Sequence, residues 1–201
     1  MATALSCHSP QLRRYRVRVD LTAAFPGALA ADVRRVLTTV SPHRLGPTGP
    51  RSAIVAGQEL TIPYRIYDDP PEPTFDLSPT QRLVLHCLFS RHHDGYLRQR
   101  HLEALLWSRQ PWVLPYLFLP LGEYVVEIVL LLRAALSDVD MYDFGPFVAE
   151  NPELFAVTRQ RAASYWAEYN RRKYPKLRDY PAMVLLESMR RAGGPAHRPS
   201  T

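Results

Sequence analysis

Charged and apolar side chains alternate with period two from Arg14 through Leu21, the spacing of a strand with one wet face. The period then lengthens to that of a helix. Pro26 stands at a first helical position and Ala30, Val33, Val36 and Leu37 fall on one side, which predicts a helix over residues 26–40. The stretch SPHRLGPTGP, Ser41 to Pro50, breaks it. Between Ser52 and Tyr67 two short strands are expected, joined at Gly57-Gln58 in a type II′ turn, with Leu60, Ile62, Tyr64 and Ile66 sharing a face. Pro63 cannot donate to a ladder and puts the second strand at an edge. Residues 12–68 thus sketch a small β-α-β-β element behind a disordered start, residues 1–11.

Residues 69–77 form an acidic, proline-rich linker, and everything after it follows helical spacing. Ser78-Pro79 is a cap followed by a first-turn proline, with Leu83, Val84, Cys87 and Leu88 as the stripe. Asp94-Gly95 turns the chain into a second helix reaching Trp107, with Leu97, Leu102, Leu105 and Leu106 inward. Residues 111–136 are the most apolar run of the chain. Glu123, Glu127 and Arg133 would be expensive at bilayer depth, so the run predicts a buried core helix and not a transmembrane segment. Pro120 and Gly122 divide it, and a helix restarting near Leu121 would hold both glutamates in its first turn, where the helix dipole favours them. An acidic loop is expected from Ser137 to Asp143, ending near Gly145-Pro146. Asn151-Pro152-Glu153 reads as a strong helix start, with Phe155, Ala162, Trp166 and Tyr169 on one face and Arg161, Glu168 and Arg172 on the opposite one. A last helix, residues 181–191, stops at Gly193-Gly194, and residues 193–201 are expected as a disordered tail. The predicted fold class is α+β and predominantly α, a β-α-β-β element leading into antiparallel stacked helices over residues 78–192.

The segment from Asp94 to Leu105, DGYLRQRHLEAL, resembles the second helix of a HEAT repeat: an acid at the turn, an aliphatic-Arg pair three residues on, and aliphatics on the packing face. With its neighbouring helices the resemblance spans about residues 78–136. It implies a helical stack that binds partners, with structural roles for the acid and the arginine, and implies no catalysis.

Composition changes this picture in two ways. Apolar residues make up 46% of the 201 residues, enough for a real core, and the two cysteines, Cys7 and Cys87, lie too far apart in sequence for ligand-like spacing. A reducing, cytoplasmic setting is expected, without cofactor or metal. The net charge of +6 is also concentrated in one place. From Arg159 to Arg178 seven basic residues face the single acid Glu168, which equals the excess of the whole chain.

Within that segment Arg171, Arg172, Lys173, Tyr174, Lys176 and Arg178 interleave cations with an aromatic, as surfaces that hold nucleic-acid backbones and stack on bases do. The plain alternative is a solvated helix end. Catalytic candidates are Glu123 and Glu127, one turn apart in apolar surroundings, and His92-His93. Their structural alternatives are pairing of the glutamates with arginines of the preceding helix, such as Arg98 or Arg100, or their emergence at the surface, and helix capping by the histidines. The mechanistic motifs G-x-S-x-G, G-x-G-x-x-G, H-E-x-x-H and the Walker A pattern do not occur. The sequence therefore favours a non-catalytic protein-interaction or scaffold module, with another protein as partner. A nucleic-acid-binding protein is the runner-up and an enzyme comes third. It carries no signal for an oligomeric state.

Overall fold

The computed structural model describes residues 20–71, 76–136 and 140–194. The predicted first strand lies outside these residues except at its end. There the Asp20 carboxylate accepts from the Thr22 amide at 2.9 Å and its hydroxyl at 2.8 Å, and this local bonding turns Leu21–Ala24 into a 3-10 helix instead of a strand end. The following helix starts later than predicted: a 3-10 turn, Gly27–Leu29, leads into α1, Ala30–Leu37. Thr39 bonds back to the Val36 carbonyl at 2.7 Å beyond its end.

Strands β1, Arg51–Val55, and β2, Gln58–Ile62, form an antiparallel pair with Val55 opposite Gln58. The turn is therefore Ala56-Gly57, one residue earlier than the sequence suggests. Both residues have positive φ, 52° and 76°, the backbone of a type I′ turn and not a II′. Leu60, Ile62 and Ile66 are buried as expected, and the strand ends at Pro63.

The remaining helices are α2, Pro79–Phe89; α3, Gly95–Leu105; α4, Leu114–Phe118; α5, Val126–Ala135; α6, Met141–Glu150; α7, Pro152–Tyr165; and α8, Pro181–Ala192. Eight α-helices and one two-stranded sheet among the described residues make a predominantly α protein of the α+β class. Helix α2 begins on a full capping box, Ser78 with Gln81, and the free amide of Gln81 also reaches Asp32 of α1 at 2.9 Å. The β-hairpin and α1 share one apolar core with the helices. Phe25 stacks on Tyr116 at 5.5 Å between ring centroids, and the Tyr116 hydroxyl donates to the Ala24 carbonyl at 2.6 Å.

The long apolar run is broken as foreseen, but differently. The 3-10 turn Leu119–Gly122 is followed by an extended Glu123 (φ −114°, ψ 164°), and α5 begins only at Val126. Glu127 sits in its first turn; Glu123 does not. The expected acidic loop at 137–143 is also corrected, since Met141 already starts α6. Met141, Phe144, Phe147 and Val148 bury one helical face, and Pro146 is tolerated inside because the carbonyl it orphans belongs to the exposed Tyr142. Asn151 likewise does not cap α7. Its amide clamps the hairpin, accepting from the Ile54 amide at 2.6 Å and donating to the Ile54 carbonyl at 2.7 Å.

Helix α8 packs on α5, α6 and α7. Its end meets α6 at Gly145, where a Cβ would stand 2.6 Å from the Ala192 carbonyl carbon and 2.7 Å from its oxygen. Gly145→Ala is expected to cost about 1–3 kcal/mol by overpacking backbone against backbone. A urea midpoint equal to the parent's would show that the two helices separate freely there.

Candidate functional site

The site is built from three chain breaks that bring arginines to one carboxylate. Pro63 stops β2, the chain bends at Tyr64, whose amide the Thr48 carbonyl holds at 2.8 Å, and Arg65 forms an isolated bridge with Thr48. Arg91 follows the end of α2, and Arg98 lies in the first turns of α3. Glu123 projects from the extended link before α5. Arg65 grips it in a fork, Nη1 to Oε1 at 3.0 Å and Nη2 to Oε2 at 2.8 Å. Arg91 Nη1 stands 2.8 Å from Oε1 and Arg98 Nε 3.2 Å from Oε2, at ion-pair distance without hydrogen-bond alignment. The arginine side chains are 9%, 1% and 0% exposed and the glutamate 1%.

Backbone carbonyls take several of the remaining guanidinium protons. Arg91 donates to Pro63 and Tyr64, and Arg98 donates to His92 and His93, both at 2.9 Å. Arg98 Nη2 is buried without a hydrogen-bond partner among the described residues. Burial pushes the Glu123 carboxyl upward, but the fields of Arg91, Arg65 and Arg98, with the Arg65 hydrogen bond, outweigh it and hold it below its ordinary value.

Next to this cluster the Tyr64 ring is surrounded by guanidinium groups: Arg65 at 4.3 Å, Arg161 at 5.0 Å, Arg51 at 5.3 Å and Arg91 at 5.9 Å from its centroid. Arg161, expected on the solvent face of its helix, is half-buried. It donates from Nε to the Gly122 carbonyl at 3.0 Å and from Nη2 to the Tyr64 hydroxyl at 2.7 Å and the Tyr165 hydroxyl at 3.3 Å. The buried stripe of α7 is Leu154, Thr158 and Ala162, which turns Arg161 toward Tyr64.

From Arg161 an aromatic path runs outward. Tyr165 meets Tyr124 edge-on at 6.2 Å and stacks with Tyr169 at 6.3 Å, and Tyr169 borders a recess with Glu168, Arg171 and Arg172. Tyr169, predicted inward, is 67% exposed, because a π-helical turn over Trp166–Asn170 shifts the helical phase. In the basic segment Arg171, Arg172, Lys173, Lys176 and Arg178 are all exposed. Tyr174, by contrast, packs inward: its carbonyl accepts from Trp166 Nε1 at 2.7 Å and its ring meets Tyr180 at 5.6 Å. The cations meet aromatics in the segment itself, Lys173 Nζ 5.7 Å from the Tyr174 centroid and Arg171 5.5 Å from the Trp166 ring, and Tyr169 is the exposed ring beside them.

The catalytic candidates do not converge. Glu123 is enclosed by arginines, Glu127 is exposed at the start of α5, and Arg98 stands between Glu123 and the His92 carbonyl. His92 is buried and accepts from the Asp94 amide at 3.1 Å, while His93 stacks on Tyr67 at 5.1 Å. Of the proposed pairing partners, Arg98 reaches Glu123 and Arg100 is exposed. Among the described residues no group of three or more His, Cys, Asp or Glu could hold a metal ion, and no helix is long and apolar enough to cross a membrane.

Arg51, Tyr64, Arg65, Arg91 and Arg161 are the site residues that sequence reasoning missed. The available signal was faint: an arginine directly after a strand-ending Pro-Tyr, and another directly after a helix stripe. No protein-family model matches the chain, and comparison with curated proteins and with solved structures finds no match.

Proposed function

We propose that the protein is a non-catalytic binding protein whose partner is a polyanion, with single-stranded nucleic acid as the class that fits best. The observation that carries this reading is the run of exposed cations Arg171, Arg172, Lys173 and Lys176, none in a salt bridge among the described residues, beside the exposed ring of Tyr169. Cations track phosphates while rings stack on bases, and neither demands a particular sequence.

The test is a salt titration of oligonucleotide binding. Affinity is expected to fall linearly in log-log form, and replacing the four cations with glutamine to lower the slope by about 0.7 for each phosphate that is no longer neutralised. Salt-independent binding, or a slope unchanged in the quadruple variant, would sink the reading. Tyr169→Ala should weaken binding by about 1–3 kcal/mol per stacked base with the slope retained.

One observation favours the scaffold reading, in which the partner is another protein. Tyr96 and Trp107 are 88% and 86% exposed, at the start of α3 and just past its end, with exposed Arg100 and Glu103 between them. Large exposed aromatics are the side chains that anchor protein interfaces. A Tyr96→Ser, Trp107→Ser variant separates the two readings, since it should lose a protein partner and keep the salt-dependent oligonucleotide binding.

A further inference from the structure

Three buried guanidinium groups facing one buried carboxylate leave two positive charges in excess. Buried charges are ordinarily paired, and an unpaired one is costly to keep from water. The excess is larger at the edge of the cluster, where Arg51 and Arg161 join the same Tyr64 ring. A recess opens between these side chains. Arg51 of β1, Arg91 after α2, Arg161 of α7 and Tyr64 supply its polar lining, Leu119, Leu154 and Val157 its apolar part, and no carboxylate lines it. Its room is about 10 Å³, roughly one water-sized sphere.

We infer that this recess is a binding site for a phosphate-type oxyanion. The volume admits a single oxygen atom, so the ligand is a group that presents one oxygen inward and keeps the others at the mouth, between Arg51 and Arg161. Those two side chains have donors to give. Arg161 spends Nε and Nη2 inside the protein and keeps Nη1, and the one side-chain hydrogen bond of Arg51 among the described residues is a long one from Nη1 to the Pro50 carbonyl at 3.4 Å. Planar guanidinium forks suit tetrahedral oxyanions, and an excess of two charges behind them favours a dianion over a monoanion. Tyr64 holds the arrangement in place: its ring faces attract the guanidinium groups and its hydroxyl fixes Arg161. The Cβ that Gly122 lacks would stand 3.1 Å from Thr158 Cγ2, so α7 approaches the 3-10 turn closely enough to keep the recess at one-oxygen size. The site does not depend on the nucleic-acid reading, because the cations at 171–176 take no part in it.

The experiment uses the full chain and inorganic phosphate. Thermal unfolding is followed against phosphate concentration, with sodium chloride at matched ionic strength as the reference. A saturable rise in Tm with phosphate and none with chloride is expected. Arg161→Gln should weaken phosphate binding at least about tenfold, the worth of one charge-assisted hydrogen bond. Arg51→Gln, at a strand position that is only partly buried, tests the same point in a fold left intact and should weaken it similarly. Arg133→Gln, at an exposed cation of α5 outside both surfaces, should leave it unchanged. Equal Tm shifts with chloride and phosphate would reduce the effect to screening and overturn the site, and so would an Arg51→Gln protein that binds phosphate as the parent does. A further arm names the source of the group. An oligonucleotide with a 5′ phosphate that outcompetes its unphosphorylated twin, only while Arg51 and Arg161 are present, identifies a terminal phosphate. Equal binding of the two oligonucleotides beside saturable free phosphate identifies a free oxyanion.

Discussion

Glu123→Gln is expected to be the most damaging conservative substitution in the described part of the chain. The amide keeps the shape of the carboxylate but leaves Arg65, Arg91 and Arg98 buried with no counter-charge. Removing one partner of a buried pair costs about 3–5 kcal/mol, and here one residue serves three cations. Against a total stability of about 5–15 kcal/mol, the variant should unfold at far lower urea or fail to accumulate folded. The order of variants is as informative as the size. Removing a cation from a cluster with excess positive charge relieves part of the repulsion, so Arg98→Met should cost less than Glu123→Gln although it frees the His92 and His93 carbonyls. If Glu123→Gln shifts stability by less than about 1 kcal/mol, or by less than Arg98→Met does, the carboxylate is not what holds the arginines. The pH dependence has a definite sign. The carboxyl is held below its ordinary value of 4.5, so its contribution is complete above that pH and is lost as the solution becomes more acidic.

The elements that sequence patterns describe well here are those whose signals are local. Ser78 with Gln81, and Asp94 before Gly95, cap the helices that follow them, because a cap is decided within four residues. The misses share a different cause. Asn151 has every local mark of a cap, yet its amide is drawn to Ile54, 97 residues away, and helix α7 starts without it. Residues 141–146 look like a loop by their acids and Gly-Pro, but the stripe from Met141 to Val148 has α8 to pack on, and burial outweighs propensity. The arginine cluster is half legible. Helical phase sets Arg98 and Arg100 about 200° apart, so only one of them can meet a glutamate from the apolar run. Arg65 comes from 58 residues before Glu123 and has no spacing relation to it that a pattern could reveal. The basic segment is legible in its cations, which a charge pattern shows directly. Tyr174 beside Lys173 is legible too, but the exposure of Tyr169 is not, because nothing in the local sequence marks the π-turn at Trp166–Asn170 that brings it to the surface.

Acidification from pH 6.5 to about 4 is expected to remove about 3 kcal/mol of stability through one histidine. His101, buried on α3, faces His86 of α2 with their Nδ1 atoms 2.9 Å apart, and Phe89 packs on the His101 ring at 5.2 Å. One Nδ1 must donate to the other. The pair can hold three protons with that bond intact, but a fourth sets N–H against N–H. Burial first, then the charges of His86, Arg100 and His92, push His101 down to about 4; burial and Arg82 lower His86 as well. No acid is among the groups that shift either histidine. In the unfolded chain both titrate near 6.5, so below that pH the unfolded state takes up protons that the folded state refuses. The loss is complete below about pH 4, where both states are protonated. Its window lies mostly above that of Glu123, which separates the two. Urea midpoints at pH 7, 5.5 and 4.5 measure it, with His101→Asn as the comparison. The asparagine can still bond His86 but cannot take the proton, so the variant should start less stable at pH 7 and lose less as pH falls. Parallel losses in both proteins would show that the acid sensitivity arises elsewhere in the fold.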